Sequence, residues 1–210
     1  MTKQISIVII DYPHAMQSAV HGLKELFIMA NEIVSAQQMD VVFNVEIVVP
    51  HAANQQQASD IVILPPAIAG DYYKAPSRLL LDYLTTAHQS GTILCSACAG
   101  AFILASTQLL NHRAATTHWQ LADDFSQQFK QVNLNIESLL INDGDVITAG
   151  GIMSWVDLGL ELVAQFTRPQ IMRALGKFLI VDTGKREQRY YGSFTPKFNH
   201  GNTQILQVQH

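Results

Sequence analysis

Apolar and polar positions alternate along the chain in blocks whose period changes from strand to helix and back. Gln4 to Ile10 is a continuous run rich in Ile and Val, the pattern of a parallel strand covered on both faces. Asp11-Tyr-Pro-His14 breaks it, and Val20, Leu23, Phe27, Ala30 and Val34 then recur at spacings of three and four, predicting a helix from about Met16 to Gln37. Val41 to Val49 predicts a second strand, Pro50 to Ser59 a polar connection, and Asp60 to Leu64 a third strand ended by Pro65-Pro66. A helix over Pro76 to Gln89 comes next, with Leu79, Leu80, Tyr83, Leu84 and Ala87 on its buried side, and Thr92 to Cys95 is a further strand.

In the second half, Arg113 to Thr116 is a short strand candidate. Thr117 to Gln120 fits a capping box opening a helix to about Lys130. Ile136 to Ile141 and Val146 to Ala149 flank a hairpin turn at Asn142-Asp-Gly-Asp145. Gly150-Gly151 opens a helix striped by Ile152, Trp155, Gly159, Leu162 and Phe166, and Pro169 starts the last strong helix, striped by Ile171, Leu175 and Phe178. Strands alternating with helices predict an α/β doubly wound, mostly parallel sheet with helices on both faces. Beyond Gly184 the chain turns polar until Thr203 to His210, which reads as the beginning of a helix. The expected organisation is therefore a domain over 1–184 and a linker with the start of another module over 185–210.

The stretch from Gly91 to Ala105 is where this pattern becomes chemistry. An apolar strand meets the small-residue turn Ser96-Ala-Cys-Ala-Gly100, and an apolar helix starts at once. Such an elbow lifts the residue at its bend above the sheet edge, as it does for the serine of G-x-S-x-G hydrolases. The helix start predicts a thiolate at Cys98. On residue type alone, a cysteine after an apolar strand is core filler instead, because free cysteine is among the most buried residue types.

Ligands in open α/β sheets bind beyond the carboxyl ends of the strands. The loops expected there are Asp11 to His14, Pro65 to Gly70, Cys98 to Gly100, Thr116 to Trp119 and Gly150 to Met153. Cys98 and His118 share that set, and a cysteine nucleophile needs a base or cation beside it. His118 also reads as a plain first-turn residue of a capped helix. Cys95 and Cys98 spell C-x-x-C, but Cys95 ends a strand, and a separation of three along extended chain points the two side chains to opposite faces. A zinc ribbon needs a second such pair, and the histidines show no metal spacing, so no metal is expected. No cofactor is expected either, since Gly150-Gly151 lacks the further glycines and the lysine of a phosphate-cradling loop.

Composition limits the partners. Charged residues make up 14% of the 210 residues, below the roughly 25% usual for soluble domains. The formal charge of −4 gives no basic footprint, which argues against direct nucleic-acid binding by these residues. The apolar run at Ile5 stops at Asp11, too short for a signal or membrane span, and two cysteines suit a reducing cytoplasm.

Ser96-Ala-Cys-Ala-Gly-Ala-Phe102 with Leu104-Ala105 and Leu109-Leu110, then Arg113 to Trp119, and Thr148-Ala-Gly-Gly-Ile152 with Asp157-Leu158, together resemble the ThiJ/PfpI superfamily. Within it, the arrangement is similar to the amidotransferase-like sensor domain at the N-terminus of many AraC-type transcriptional regulators. The resemblance covers roughly residues 4–182. It implies a flavodoxin-like fold, Cys98 at the family's elbow and His118 at its histidine position. Two departures argue against activity. Catalytic members carry an acid on the first helix, where this chain has Ala19. They also follow the third strand with Pro-Gly-Gly, whose amides help form an oxyanion site. This chain has Pro65-Pro66-Ala67, and proline has no N–H to give.

The expectation is thus a non-catalytic, cytoplasmic sensor domain, homodimeric, binding a small-molecule effector near Asp11, His14, Pro66, Ala67, Cys98, Ala99, His118, Trp119, Gly151 and Ile152. Cys98 and His118 are then vestigial catalytic positions. DNA would be met only through a helix-turn-helix module beyond these residues. The alternatives are a stand-alone cysteine-dependent hydrolase or hydratase, and an oxidation sensor at Cys98 or the Cys95/Cys98 pair.

Overall fold

A computed structural model describes residues 2–50, 59–184 and 187–188. Its elements are β1 (Lys3–Ile10), α1 (Gln17–Ala36), β2 (Val41–Val48), β3 (Ile61–Leu64), α2 (Arg78–Gln89), β4 (Ile93–Ala97), α3 (Gly100–Ser106), β5 (Ala114–Ala115), α4 (Ala122–Gln128), β6 (Asn133–Leu134), β7 (Leu140–Asn142), β8 (Val146–Ala149), α5 (Trp155–Phe166) and α6 (Pro169–Leu179). The six-stranded sheet has the order β2-β1-β3-β4-β8-β7. All its pairings are parallel except β7 with β8. A doubly wound, flavodoxin-like sheet is therefore the architecture, and the direction in which successive strands are added reverses between β1 and β3.

Burial matches the sequence pattern closely in the first half. Ile7 to Ile10, Ile61 to Leu64 and Leu94 to Ala97 are buried without a break, as strands covered on both faces must be. Val20, Leu23, Phe27, Ala30 and Val34 are all buried on the stripe of α1. Helix α1 packs on α5 and α6, and α2 packs on α3. Gly22 leaves room for Trp155: a Cβ there would lie 2.6 Å from its ring.

Several boundaries differ from the periodicity, each for a local reason. Helix α2 starts at Arg78 rather than Pro76, since Ser77 caps it through a hydrogen bond from the Leu80 N–H. No capping box forms at Thr117: its hydroxyl donates to Cys98 O at 2.8 Å, and His118 caps the turn instead. His118 leads into a 3-10 turn at Trp119–Leu121 and a short α4, not one helix to Lys130. Gly150-Gly151 does not open a helix, because Ser154 N bonds Gly151 O in a turn and α5 begins at Trp155. The strand expected from Ile136 shrinks to β7, since Asn135 Oδ1 accepts from Glu137 N and Ser138 N and curls the chain before it. Phe178 is 66% exposed, outside the buried stripe of Ile171 and Leu175. The hairpin at Asn142 to Asp145 forms as read, with Gly144 at φ +87°, a conformation a side chain would disfavour. Arg113 ties this hairpin down through Asp143 and Asp145, and His88 reaches Asp145 from α2. The helix expected from Thr203, and most of the connection before Ser59, lie outside the described residues.

Candidate functional site

The elbow is built as its small residues dictate. Cys98 sits at φ +53°, a left-handed conformation that costs a non-glycine residue roughly 1–3 kcal/mol and recurs at functional bends. Its N–H donates to Ala149 O at 2.8 Å, and its carbonyl accepts from Ala101 N and from the Thr117 hydroxyl, so three segments hold the bend. Gly100 permits the close approach behind it. A Cβ there would lie 2.4 Å from Leu64 O and 2.9 Å from Pro65 O, both backbone atoms.

The chemistry of the bend is quieter than the helix start suggests. Cys98 is 4% exposed, and burial pushes its thiol up from 9.0 to about 11, against a smaller opposing pull from the Ala99 N–H. The resident species near neutral pH is the thiol, not the expected thiolate. Desolvation wins because α3 is short and the sulfur is shielded from water. Cys95 is fully buried in β4 and shifted further up for the same reason, and both cysteines are free.

Ala19, on the face of α1 turned to the core, is buried at 0% exposure. The loop after β3 donates little, since Pro65 and Pro66 have no N–H and Ile68 N is taken by His14 O at 3.2 Å. Phenols surround this region instead: Tyr12, buried at 1% exposure, donates to Pro65 O at 2.5 Å and stacks on Tyr72. Its own hydroxyl is pushed far up by burial.

The point where the strand order reverses, which ordinarily opens a ligand crevice, is stitched shut here. Met16 N donates to Pro66 O at 2.7 Å, Ala15 bridges Ala67, and the His14 ring covers Gly70. Asp11 accepts from the Gln17 amide at 2.8 Å. Of the residues singled out in the sequence, Asp11, His14, Pro66 and Ala67 belong to this pair of loops, and Cys98 and Ala99 to the buried elbow.

His118, Trp119, Gly151 and Ile152 come together elsewhere. They line a cleft of about 330 Å³ with Leu139, Met153, Ser154, Asp157 and Gln188. The His118 and Trp119 rings stack at 5.7 Å. His118 Nδ1 accepts the Gln120 N–H at 3.1 Å, which leaves its proton on Nε2, and burial pulls its imidazole below the ordinary range. It is therefore a neutral ring engaged with its own turn, and the residue of that loop bonded to the elbow is Thr117.

Gln188 went unnoticed in the sequence because it sits in a polar tail with no period. It is 2% exposed, and its Nε2 lies within hydrogen-bond distance, 3.0 to 3.1 Å, of Thr116 Oγ1, Thr117 O and Ser138 O. The segment is held by Gln188 N to Glu137 O at 2.8 Å and by a bridge between Ser138 and Glu187. Among the described residues no group of His, Cys, Asp and Glu is arranged to hold a metal, and no helix is long and apolar enough to cross a membrane.

A doubly wound sheet with a strained cysteine elbow after its fourth strand, a Thr-Thr-His-Trp loop and a Gly-Gly turn after the last parallel strand defines a class of cysteine-elbow α/β domains. Residues 13–165 match the DJ-1/PfpI family, and the chain belongs to it. It is 27% identical over 136 residues to the HTH-type transcriptional regulator CdhR of Pseudomonas aeruginosa, covering 64% of this chain and 40% of that protein. It is also 27% identical over 104 residues to the isonitrile hydratase of Pseudomonas putida, covering 50% of this chain and 44% of the hydratase. The chain thus spans less than half the length of both relatives. Among solved structures, an AraC family transcriptional regulator from Pseudomonas putida superposes with a TM-score of 0.66 at 13% identity, over 84% of this chain and 99% of that one. The family accordingly includes both regulators and an enzyme.

Proposed function

We propose that this chain is the effector-sensing, non-catalytic domain of an AraC-type transcriptional regulator. The observation that carries the reading is the separation of cleft and cysteine. The cleft is lined by His118, Trp119, Gly151, Ile152 and Asp157, and Cys98 is not on its walls. Cys98 is a buried thiol, and the family resemblance implies that Ala19 and Pro66 stand where catalytic members carry an acid and an amide donor. A nucleophile needs exposure, a base and a stabilised oxyanion, and this elbow is short of all of them. The likeness to the regulator CdhR supports the same reading.

In this reading a small molecule binds the cleft, and its preference for one conformation over another sets the state of an attached DNA-binding module. The domain works as a homodimer in the cytoplasm, and DNA is met only through that module, since the acidic balance of the chain suits no direct contact. The test is the reading frame of the gene beyond codon 210. Continuation into about a hundred residues with two helix-turn-helix units supports the reading, and a stop codon there removes the regulator from it.

The second reading is a cysteine-dependent hydratase or hydrolase, favoured by the likeness to the isonitrile hydratase and by the strained elbow. It requires that turnover vanish in Cys98→Ala.

A further inference from the structure

Helix α3 begins at the cysteine elbow and ends at a second cleft, which shares no wall residue with the one at His118. It has a volume of about 600 Å³ and lies between the turn that follows α3 and the segment that closes α4. Asn111 N donates to Gln108 O at 3.1 Å and His112 N to Gln131 O at 2.7 Å, so backbone bonds shape one wall and tie it to the other. Gln108 sits at φ +67°, a left-handed conformation that a residue with a side chain adopts at a cost and that recurs where a fold presents groups to a ligand.

The chemistry of the lining is one-sided. Gln108, Asn111, Gln127, Gln128 and Gln131 place five carboxamides around one space. Gln128 Nε2 is spent on Lys74 O at 3.1 Å, and the other four side chains have no hydrogen-bond partner among the described residues. No carboxylate lines the cleft, and its one cation, Lys130, is in no ion pair among the described residues. Ala105 and Phe129 supply the apolar part, with the Phe129 ring held by Phe102 and Phe125.

A carboxamide donates and accepts from neighbouring atoms, and a pair of adjacent hydroxyls does the same. A single ammonium is too little charge for a nucleic acid, which is gripped at several phosphates. An apolar ligand would strip water from these carboxamides and give them no partner. A peptide added as a strand needs a free sheet edge, and these walls are helix ends and turns. A ring with several hydroxyls on its rim and C–H groups on its faces meets every part of the lining.

We propose that this cleft is a saccharide-binding site. The carboxamides of Gln108, Asn111, Gln127 and Gln131 take the hydroxyls, Ala105 and Phe129 meet C–H groups, and Lys130 favours a sugar acid over its neutral counterpart. The site goes beyond the effector cleft and does not depend on it.

The experiment uses the 210-residue chain labelled with ¹⁵N and follows the side-chain amide signals of Gln108, Asn111, Gln127 and Gln131. Glucose, galactose, mannose, N-acetylglucosamine and glucuronate are added one at a time. Cyclohexanol, a six-membered ring with a single hydroxyl, and N-acetylalanine methylamide, an amide with none, are the controls. At least one sugar should shift these signals while both controls leave them in place. For that sugar, Gln127→Ala and Gln131→Ala, both at exposed positions, should each weaken binding on the order of fivefold. Glucuronate should bind more tightly than glucose, and Lys130→Gln should remove the difference; a difference that persists overturns the role of Lys130. Silence from all the sugars, an equal response to cyclohexanol, or undiminished binding in both glutamine variants overturns the proposal. So does a response to N-acetylalanine methylamide alone, which would make this a peptide site. Shifts confined to Trp119 and Gly151 would place the sugar in the other cleft and overturn it as well.

Discussion

Alkylation of Cys98 should be slow, and the structure gives the size of the effect. The thiolate is the reactive species, and burial moves this thiol from 9.0 to about 11. At about pH 8 an ordinary thiol of pKa 9.0 is about one-tenth thiolate and Cys98 about one in a thousand, a deficit of about 100-fold before access is counted. At 4% exposure access lowers the rate further. Iodoacetamide labelling followed by peptide mass mapping separates Cys98 from Cys95, and a small thiol in the same tube supplies the reference rate. The logarithm of the rate should climb with pH up to about 11 rather than level off near 9. The same shift has a sign in stability. A group that holds its proton more tightly when folded stabilises fully below its unfolded pKa and loses that contribution as pH rises, here between about 9 and 11. The part due to Cys98 is about 2–3 kcal/mol, and Cys98→Ala should remove that share of the alkaline loss. Labelling at the rate of the free thiol near pH 8 would refute the reasoning, since it would mean an exposed or activated thiolate.

Packing and charge set other outcomes. Gly100→Ala should destabilise by about 2–4 kcal/mol in urea denaturation, because its Cβ meets the backbone oxygens of Leu64 and Pro65 rather than a movable side chain. Leu175→Ala, in the buried stripe of α6, should cost about 2–4 kcal/mol, whereas Phe178→Ser should stay within about 0.5 kcal/mol. The hydrogen bond from Arg113 holds the Asp145 carboxyl down at about 2. Its stabilisation is present above the ordinary carboxylate range and is lost as pH falls toward 2. Because both partners are partly exposed, Arg113→Ala should cost only about 0.5–1 kcal/mol near neutral pH, with a flatter acid limb in thermal melts.

The sheet was legible because continuous Ile and Val runs have few alternatives, and the stripe of α1 because its apolar residues recur over about four turns. Phe178 misled for the opposite reason: its spacing fits the stripe, but α6 ends at the next residue and its ring stays exposed. Thr117 misled because a capping box and a hydroxyl aimed at a neighbouring loop have the same local sequence, and only the fold brings Cys98 O within reach. The thiolate expectation weighed a helix dipole without the desolvation that opposes it, and burial is a property of the folded site. Of the site, the glycines and the Thr-Thr-His-Trp loop were readable. The closure of the β1 and β3 loops on each other, which separates Asp11 and His14 from His118, was not, because it depends on backbone pairing. Gln188 was invisible for the same reason, as its partners come from two distant loops.

On the proposed reading, the domain binds a small molecule at the cleft and does not transform it. The measurement that tests this most directly is a metabolite screen on ¹⁵N-labelled wild type and Cys98→Ala, with each hit recovered and analysed for conversion. Shifts at Trp119, Gly151 and Ile152 are expected in both proteins, with the ligand recovered unchanged. A compound consumed by wild type and spared by Cys98→Ala would contradict it and make Cys98 a working nucleophile.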